Sequence, residues 1–428
     1  MSTTHQIAAV DTVVIGAGQA GLAVSHLLGR AGRDHVVVDR GRVAESWRSQ
    51  RWDSLRLLTP RWMSRLPGWR YTGPGQGGYM ATDELITYLE GYAASSGAPL
   101  ELGREVLDVS ARADGYRVVA DGRSWQARHV VIATGPTGRP HIPAAARGLD
   151  SGVHVITPLQ YRNPDQLPAG GVLVVGAAAS GAQIADELVR AGRRVILAAG
   201  RHIRMPRRYR GMEIYWWLEQ LGHLSRTIDT ASDPDATRRQ PSPTLTGREP
   251  DDPRGANLDL RTLDAAGVEL TGRVRDFDGM QVTLVDDLAD TTRAAERRQA
   301  RLLDGIDRYV ERHHLTLEVD PPDRPAPLPS LGSRTHLDLR AEGIASVVLA
   351  TGFRGHYPWL RVPVLNPDGT IRQVRGVTSA PGLYVVGGQR FQHRRDSATL
   401  DGARHEARDV VAHLCGERVR TPCALEAS

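Results

Sequence analysis

The chain contains no lysine. All 54 basic side chains among its 428 residues are arginine, which excludes enzymes that work through an internal lysine Schiff base. Cysteine is almost as scarce. Cys415 and Cys423 lie close to the C-terminus and do not form a C-x-x-C pair, so a disulfide framework, a zinc knuckle and a thiol relay are excluded. No stretch approaches the ~20 uncharged apolar residues of a spanning helix. The opening MSTTHQIAAV lacks a basic region followed by an apolar run. The expectation is a cytoplasmic protein with no membrane partner. A strong charge imbalance is missing too: 54 basic residues face 49 acidic ones and the net charge is +5, so no nucleic-acid partner is expected. There is no H-E-x-x-H, and His313-His314 sit beside Arg312 in a charged helical stretch, so no metal site is expected.

What remains is the composition of a globular protein, with 40% hydrophobic and 24% charged residues and a length suited to about two or three domains. Near the start, the β-branched run Thr12–Ile15 ends in Gly16-Ala17-Gly18-Gln19-Ala20-Gly21. Leu22, Leu27 and Leu28 then suit a packed helix, Gly32 closes it, and His35–Val38 forms a second strand ending at Asp39. This is a βαβ unit built for a dinucleotide. Gly16 permits the tight turn, Gly18 lets backbone approach a pyrophosphate, and Gly21 lets helix pack on strand. Asp39 is placed to accept hydrogen bonds from a ribose diol.

The pattern recurs. Gly171–Val175 leads into Gly176-Ala177-Ala178-Ala179-Ser180-Gly181, then a helical AQIADELVRAG and the strand Arg194–Ala199. Ala178 replaces the middle glycine, and no acid ends the second strand. Arg201 and Arg204 follow instead, with Arg207, Arg208 and Arg210 close behind. Arginine in that place accommodates a ribose 2′-phosphate, so NADPH is expected there, the alternative being a solvated basic loop.

Two apolar runs end in Ala-Thr-Gly, Val130–Gly135 and Val347–Phe353. They read as the chain leaving the first nucleotide domain and returning to it. Hairpin turns at Asp114-Gly115 and Asp121-Gly122 suggest a small antiparallel excursion before the first. A final helix over Ser397–Leu414, capped by Asp396 or Ser397, either aims its N-terminus into a cofactor crevice or only covers the sheet. Trp47 and Trp52 flank a loop where indoles can cover a flat cofactor or pack a core. The segment Arg207–Leu224, with Trp216 and Trp217, reads as a core helix or a substrate-pocket wall.

Taken together, these residues resemble the two-dinucleotide-binding flavoproteins, and among them the class B flavin-dependent monooxygenases. The resemblance rests on both glycine motifs, Ser46-Trp47-Arg48, the run Trp52–Pro60, both Ala-Thr-Gly strands and the Gly382–Gly388 stretch before the closing helix. It implies an α/β fold of two nested Rossmann-like, doubly wound domains. The FAD domain would span 1–150 and 336–428, with an inserted NADPH domain over 151–335. Residue-wise carry-over adds Gln19, Ala20, Arg40, Ser46, Trp47, Arg48, Trp52, Leu57 and Thr59 around FAD and Val106 near its adenine. Ala133, Thr134, Gly135, Ser180, Thr351 and Gly352 complete the cofactor-binding set. No catalytic side chain is assigned.

The implied reaction inserts one oxygen atom from O2 into a small organic substrate through a C4a-peroxyflavin. Two other functions stay open: a flavoprotein reductase or oxidase passing electrons to O2 or a carrier, and a non-catalytic NADPH-binding sensor. A homodimer is allowed for. One departure bears on the choice. The family's fingerprint has a histidine four residues before Tyr161, where this chain has Thr157. The nearest histidine, His154, is three residues earlier and therefore points to the other face of an extended segment.

Overall fold

Valine dominates the strands that open the fold. In the computed structural model, which describes residues 7–245, 247, 257–329, 332, 334–388 and 391–416, β1 (Ile7–Ile15) lies in the parallel part of a mixed sheet. Val14 sits opposite Val37 of β2 (His35–Val38) on one side and opposite Val131 of the strand Arg123–Ile132 on the other. All three valines are fully buried, as strands covered on both faces require. One cover is α1 (Gln19–Arg30), whose Leu22, Val24 and Leu28 share a core with Tyr88, Leu89 and Tyr92 of α3 (Thr82–Ser96). The short α2 (Glu45–Ser49) lies between them in sequence. Leu22 is wholly inaccessible, so truncating it to alanine costs about 2–5 kcal/mol. On the other face, Val106–Arg112, Gly115–Ala120 and Arg123–Ile132 form an antiparallel meander. Its turns fall at Gly115 and Gly122, both at positive φ, as expected from the sequence.

The second sheet is also parallel. It runs His154–Ile156, Ile344–Leu349, Gly171–Val175, Val195–Ala198, Glu269–Thr271, and α4 (Ala179–Arg190) makes its βαβ crossover. The insert continues with α5 (Ile214–Gln220), the short α6 (Pro234–Arg238) and α7 (Leu260–Ala265), then α8 (Leu288–Arg312). Leu303, Ile306 and Val310 of α8 share a core with Ile214, Trp217 and Leu218 of α5. The tryptophan-rich segment is therefore a core helix. The architecture is α/β, with two nested Rossmann-like units.

The domain boundaries differ from the expected ones. Ile344–Leu349 pairs with Gly171–Val175 and His154–Ile156, and His336–Asp338 pairs with Gln281–Leu284. Both belong to the insert, so the return comes after Leu349 rather than at 336. A buried parallel strand ending in Ala-Thr-Gly has the same pattern in either sheet, and its partner is a tertiary choice. The outward crossing is likewise earlier than 150. A Cβ on Gly148 would lie 1.9 Å from the Phe277 carbonyl oxygen, and Asp150 N donates to Gly279 O at 3.1 Å. The two crossings run side by side: Arg139–Pro140 pairs antiparallel with Phe353–Arg354, and His141 N donates to Gly352 O at 2.8 Å.

After the return, Leu383–Val385 pairs with Arg123–Ile132 in the first sheet, and α9 (Leu400–Leu414) packs Ala403, Ala407 and Val410 into the core containing α1. Its cap is Thr399, whose Oγ1 accepts from Gly402 N at 3.0 Å, not Asp396 or Ser397. A turn closed by Thr399 N on Asp396 O places those two residues before the helix. Asp396 binds Arg394 there and Ser397 binds Glu406. Among the described residues no helix is long and apolar enough to cross a membrane.

Candidate functional site

Two glycine turns lie at the C-terminal ends of the two sheets. In the first, Gly16 has φ +116°, and an added Cβ would meet Ala133 O at 2.5 Å. A Cβ on Gly21 would come within 1.9 Å of Gly16 O. Neither position admits a side chain. Gly18 differs: it is the extended N-cap of α1, with φ −86° and ψ −176°, and a Cβ there meets nothing within 4 Å. No side chain caps α1, so its first-turn N–H groups face open space suited to an anion. Gly387 closes the other side, its ideal Cβ 2.9 Å from that of Ala20. Gln19, Thr134 and Gly135 border the turn, with Thr134 exposed and Gly135 at φ +77°.

Asp39 ends β2 and braces this cradle. Its Oδ2 accepts from Ala17 N at 2.7 Å and its Oδ1 from Gly41 N at 2.8 Å. Each oxygen keeps acceptor capacity for a ribose hydroxyl. Beyond it opens a cleft of about 700 Å³ lined by Arg40, Gly41, Arg42, Glu45, Leu102 and Gly103. Val106 is buried in the meander core close by, two residues after Arg104, whose N donates to Asp39 O. The open space, bare helix end and carboxylate together fit a dinucleotide.

The second turn repeats the backbone solution. Gly176 has φ +108° with its ideal Cβ 2.5 Å from Ala350 O, and that of Gly181 is 1.8 Å from Gly176 O. Ala350 thus plays the part of Ala133, which explains why both sheets carry an Ala-Thr-Gly strand end. Thr351 and Gly352 continue into the crossing ribbon. Ala178 is the N-cap of α4, with φ −78° and ψ −175°, nearly the angles of Gly18. Its methyl therefore stands where the first turn is open, and Ser180 sits half-buried in the helix's first turn. Arg201 is exposed just beyond the strand Val195–Ala198. Arg204 is not. It is buried, donates to Asp259 Oδ2 at 2.6 Å and Ala326 O at 2.8 Å, and lies 3.5 Å from Glu296. The sequence expectation for Arg204 is corrected: its charge is neutralised inside the insert, and Arg201 is the arginine presented to solvent.

The segment from Ala44 to Pro60 bridges the two units. Ala44 N donates to Ala17 O at 3.2 Å, setting α2 beside the first turn. From α2, Ser46 and Trp47 are half-buried, Trp47 against the first core, and Arg48 holds Val43 O and Glu90. Trp52, by contrast, is buried in the core of the insert with Ala177 and Ala182, and Leu55 packs against that core. Leu57 returns to the first core, its N donating to Met80 O at 2.9 Å, and Thr59 is buried. The two tryptophans assigned together therefore pack into the cores of different units.

Two residues in this seam take partners that the sequence motifs do not reveal. Arg207 is fully buried, pairs with Glu213, donates to Leu58 O at 2.9 Å and lies over the Tyr79 ring. Tyr161 donates to Glu187 Oε2 at 2.8 Å, and burial pushes the Glu187 carboxyl above its ordinary range. Their signals were present, an arginine run and a family aromatic, but not their partners. Thr157 is buried, its Oγ1 donating to Gln160 Oε1 at 2.8 Å, while His154 is exposed. Among the described residues no three His, Cys, Asp or Glu groups are placed to hold a metal.

Residues 13–220 match the pyridine nucleotide-disulphide oxidoreductase family. An uncharacterized CzcO-like oxidoreductase of Geobacillus kaustophilus is 32% identical over 94% of this chain and 97% of its own. A probable indole-3-pyruvate monooxygenase, YUCCA1 of Arabidopsis thaliana, is 29% identical over 44% of this chain and 46% of its own. This chain belongs to the family of the CzcO-like oxidoreductases. A flavin-containing monooxygenase from Stenotrophomonas maltophilia shares the fold, with a TM-score of 0.63, 21% identity and coverage of 96% of this chain and 99% of that one. As a member, the protein is an oxidoreductase.

Proposed function

We propose that the protein is an FAD- and NADPH-dependent monooxygenase that inserts one atom of O2 into a small organic substrate. The observation that carries this reading is the pair of glycine cradles, one braced by a carboxylate and the other followed by an exposed arginine, joined by one seam segment. Asp39 accepts the ribose diol of FAD, and the N-terminus of α1 faces its diphosphate. Gly176, Ser180 and Gly181 cradle the NADPH diphosphate, and Arg201 meets its 2′-phosphate. Bound FAD and NADPH supply the redox chemistry. The chain supplies placement: Trp47, Leu57 and Thr59 would lie against the flavin, and Arg207 pins the Leu58 carbonyl between Leu57 and Thr59, which would limit water at the reacting atoms.

A second reading is an NADPH oxidase or reductase, favoured by Thr157 in place of the fingerprint histidine. A thiol relay is not part of it, since the sequence has no C-x-x-C. The test is a substrate screen under ¹⁸O2 with NADPH. The monooxygenase reading expects one labelled oxygen atom in the product. NADPH oxidation that yields only hydrogen peroxide, or needs an added electron carrier, across the whole screen would sink it.

A further inference from the structure

Arg51 holds a half-buried positive charge that no carboxylate among the described residues neutralises. Its guanidinium lies 4.9 Å over the Trp47 ring and donates to the neighbouring Gln50 carbonyl at 2.8 Å. No carboxylate faces it among the described residues. The charged group beside it is Arg162, and burial together with that like charge brings Arg51 down to about 10. Arg162 is itself spent on carbonyl oxygens, those of Ser49, Arg51, Leu159 and Tyr161. None of these carries a counter-charge. The seam therefore concentrates two guanidinium groups without an anion, an arrangement that is unfavourable unless a ligand supplies one.

The surroundings show which ligand. Asp53 N donates to Arg162 O at 2.9 Å, and Asn163 Nδ2 to Asp53 Oδ2 at 2.7 Å. Trp52 is buried with Ala177 and Ala182, on either side of the second glycine turn's N-cap, Ala178. Ser54 and Tyr161 both reach Glu187 of α4. The Ser49–Leu55 loop is thus stitched to the insert along α4, the helix that follows its glycine turn, although the first unit provides it.

We infer that Arg51 is a clamp contributed by the first unit to the diphosphate of the nicotinamide dinucleotide seated at the second glycine turn. This rests on the NADPH reading above. The charges match: a dinucleotide diphosphate carries two negative charges, and Arg51 with Arg162 presents two positive ones. A guanidinium suits this role because its planar fork bonds two phosphate oxygens at once. It also compensates for Ala178, whose methyl stands where the first turn is open. With the clamp in the first unit and the cradle in the second, nucleotide binding draws the two together.

The test uses FAD-loaded full-length protein and two probes, NADP⁺ and adenosine 2′-monophosphate, which has no diphosphate. Dissociation constants are measured by equilibrium dialysis for the wild type, Arg51→Gln and Arg51→Lys, with FAD content and melting temperature as folding controls. Loss of a charge-assisted contact corresponds to about 10- to 150-fold. Arg51→Gln should weaken NADP⁺ binding within that range and leave adenosine 2′-monophosphate within about twofold. Arg51→Lys, which keeps the charge and most of the volume, should lose less and settles the matter if the glutamine variant does not fold. Unchanged NADP⁺ affinity overturns the clamp and leaves the function reading intact. Loss of FAD with NADP⁺ binding retained also overturns it, since Arg51 would then serve the first dinucleotide. A wild type that does not bind NADP⁺ overturns both.

Discussion

Gly18 offers the cleanest separation of folding from cofactor binding. Its φ of −86° and ψ of −176° are angles that valine adopts freely, and a Cβ there meets no protein atom within 4 Å. Gly18→Val should therefore change the stability of the FAD-free protein by only about 0.5 kcal/mol. The added methyls fill the space in front of the α1 N-terminus, where the proposed function places the FAD diphosphate, and binding should be lost. A ligand at about a thousand times its dissociation constant stabilises by about 4 kcal/mol. For a unit of this size that is roughly 8 to 16 °C in melting temperature. The assay is FAD released on denaturation, per chain, with thermal melts in the presence and absence of added FAD. Gly18→Val should be FAD-free, melt with wild-type protein stripped of FAD, and gain nothing from added FAD. Gly21→Ala is the contrast: its Cβ would lie 1.9 Å from Gly16 O, so it should lower stability even without FAD. A Gly18→Val protein that purifies with full FAD and the wild-type melting temperature would refute the placement of the diphosphate.

Four further outcomes follow from the site. Arg201→Ala should reduce the NADPH-to-NADH ratio of kcat/KM by about 10- to 150-fold, measured by steady-state oxidation of each cofactor. An unchanged ratio would move the 2′-phosphate elsewhere. Arg204→Ala should leave that ratio alone but cost about 3–5 kcal/mol in urea unfolding, because it strands Asp259 and Glu296. Burial, aided by Arg226 and Arg395 around His223 and chiefly by Arg394 and Arg404 around His405, holds both histidines at about 4 against an ordinary 6.5. Between those values the unfolded chain binds more protons than the folded one, so this contribution is full above pH 6.5 and is lost as pH falls toward 4. The urea midpoint should fall across that window, less steeply in His405→Asn; equal slopes would remove His405 from the account. Finally, Thr157→His should lower the hydrogen peroxide released per NADPH oxidised without substrate, since the shorter threonine is tied to Gln160 and not to the seam. A yield that does not change would show that Thr157 has no part in coupling.

Legibility in the sequence followed the range over which each residue's role is decided. The glycine turns were readable because Gly16, Gly21, Gly176 and Gly181 answer to backbone atoms within a few residues or at a strand end, at distances where a Cβ cannot exist. Asp39 was readable for the same reason, its partners Ala17 and Gly41 lying in the local βαβ unit. The two Ala-Thr-Gly runs were recognised as strand ends, and Ala133 and Ala350 are the close neighbours of Gly16 and Gly176. Their sheet membership was not readable, because Val347 and Val348 are as apolar as Val130 and Val131 and either sheet buries them equally.

Charge was the least legible property. A run of arginines announces positive potential, but Arg204 differs from Arg201 only through Asp259, 55 residues away, and Glu296 on a distant helix. Arg51 is the converse: nothing adjacent in sequence marks it as lacking a counter-ion, and only the assembled seam shows that Arg162 is its charged neighbour. In a chain whose every basic residue is arginine, counting cations does not locate a phosphate site. The informative quantity is the arginine left without a carboxylate after folding. By that criterion Arg204 belongs to the structure of the insert, and Arg51 and Arg201 are the arginines proposed here for the ligand.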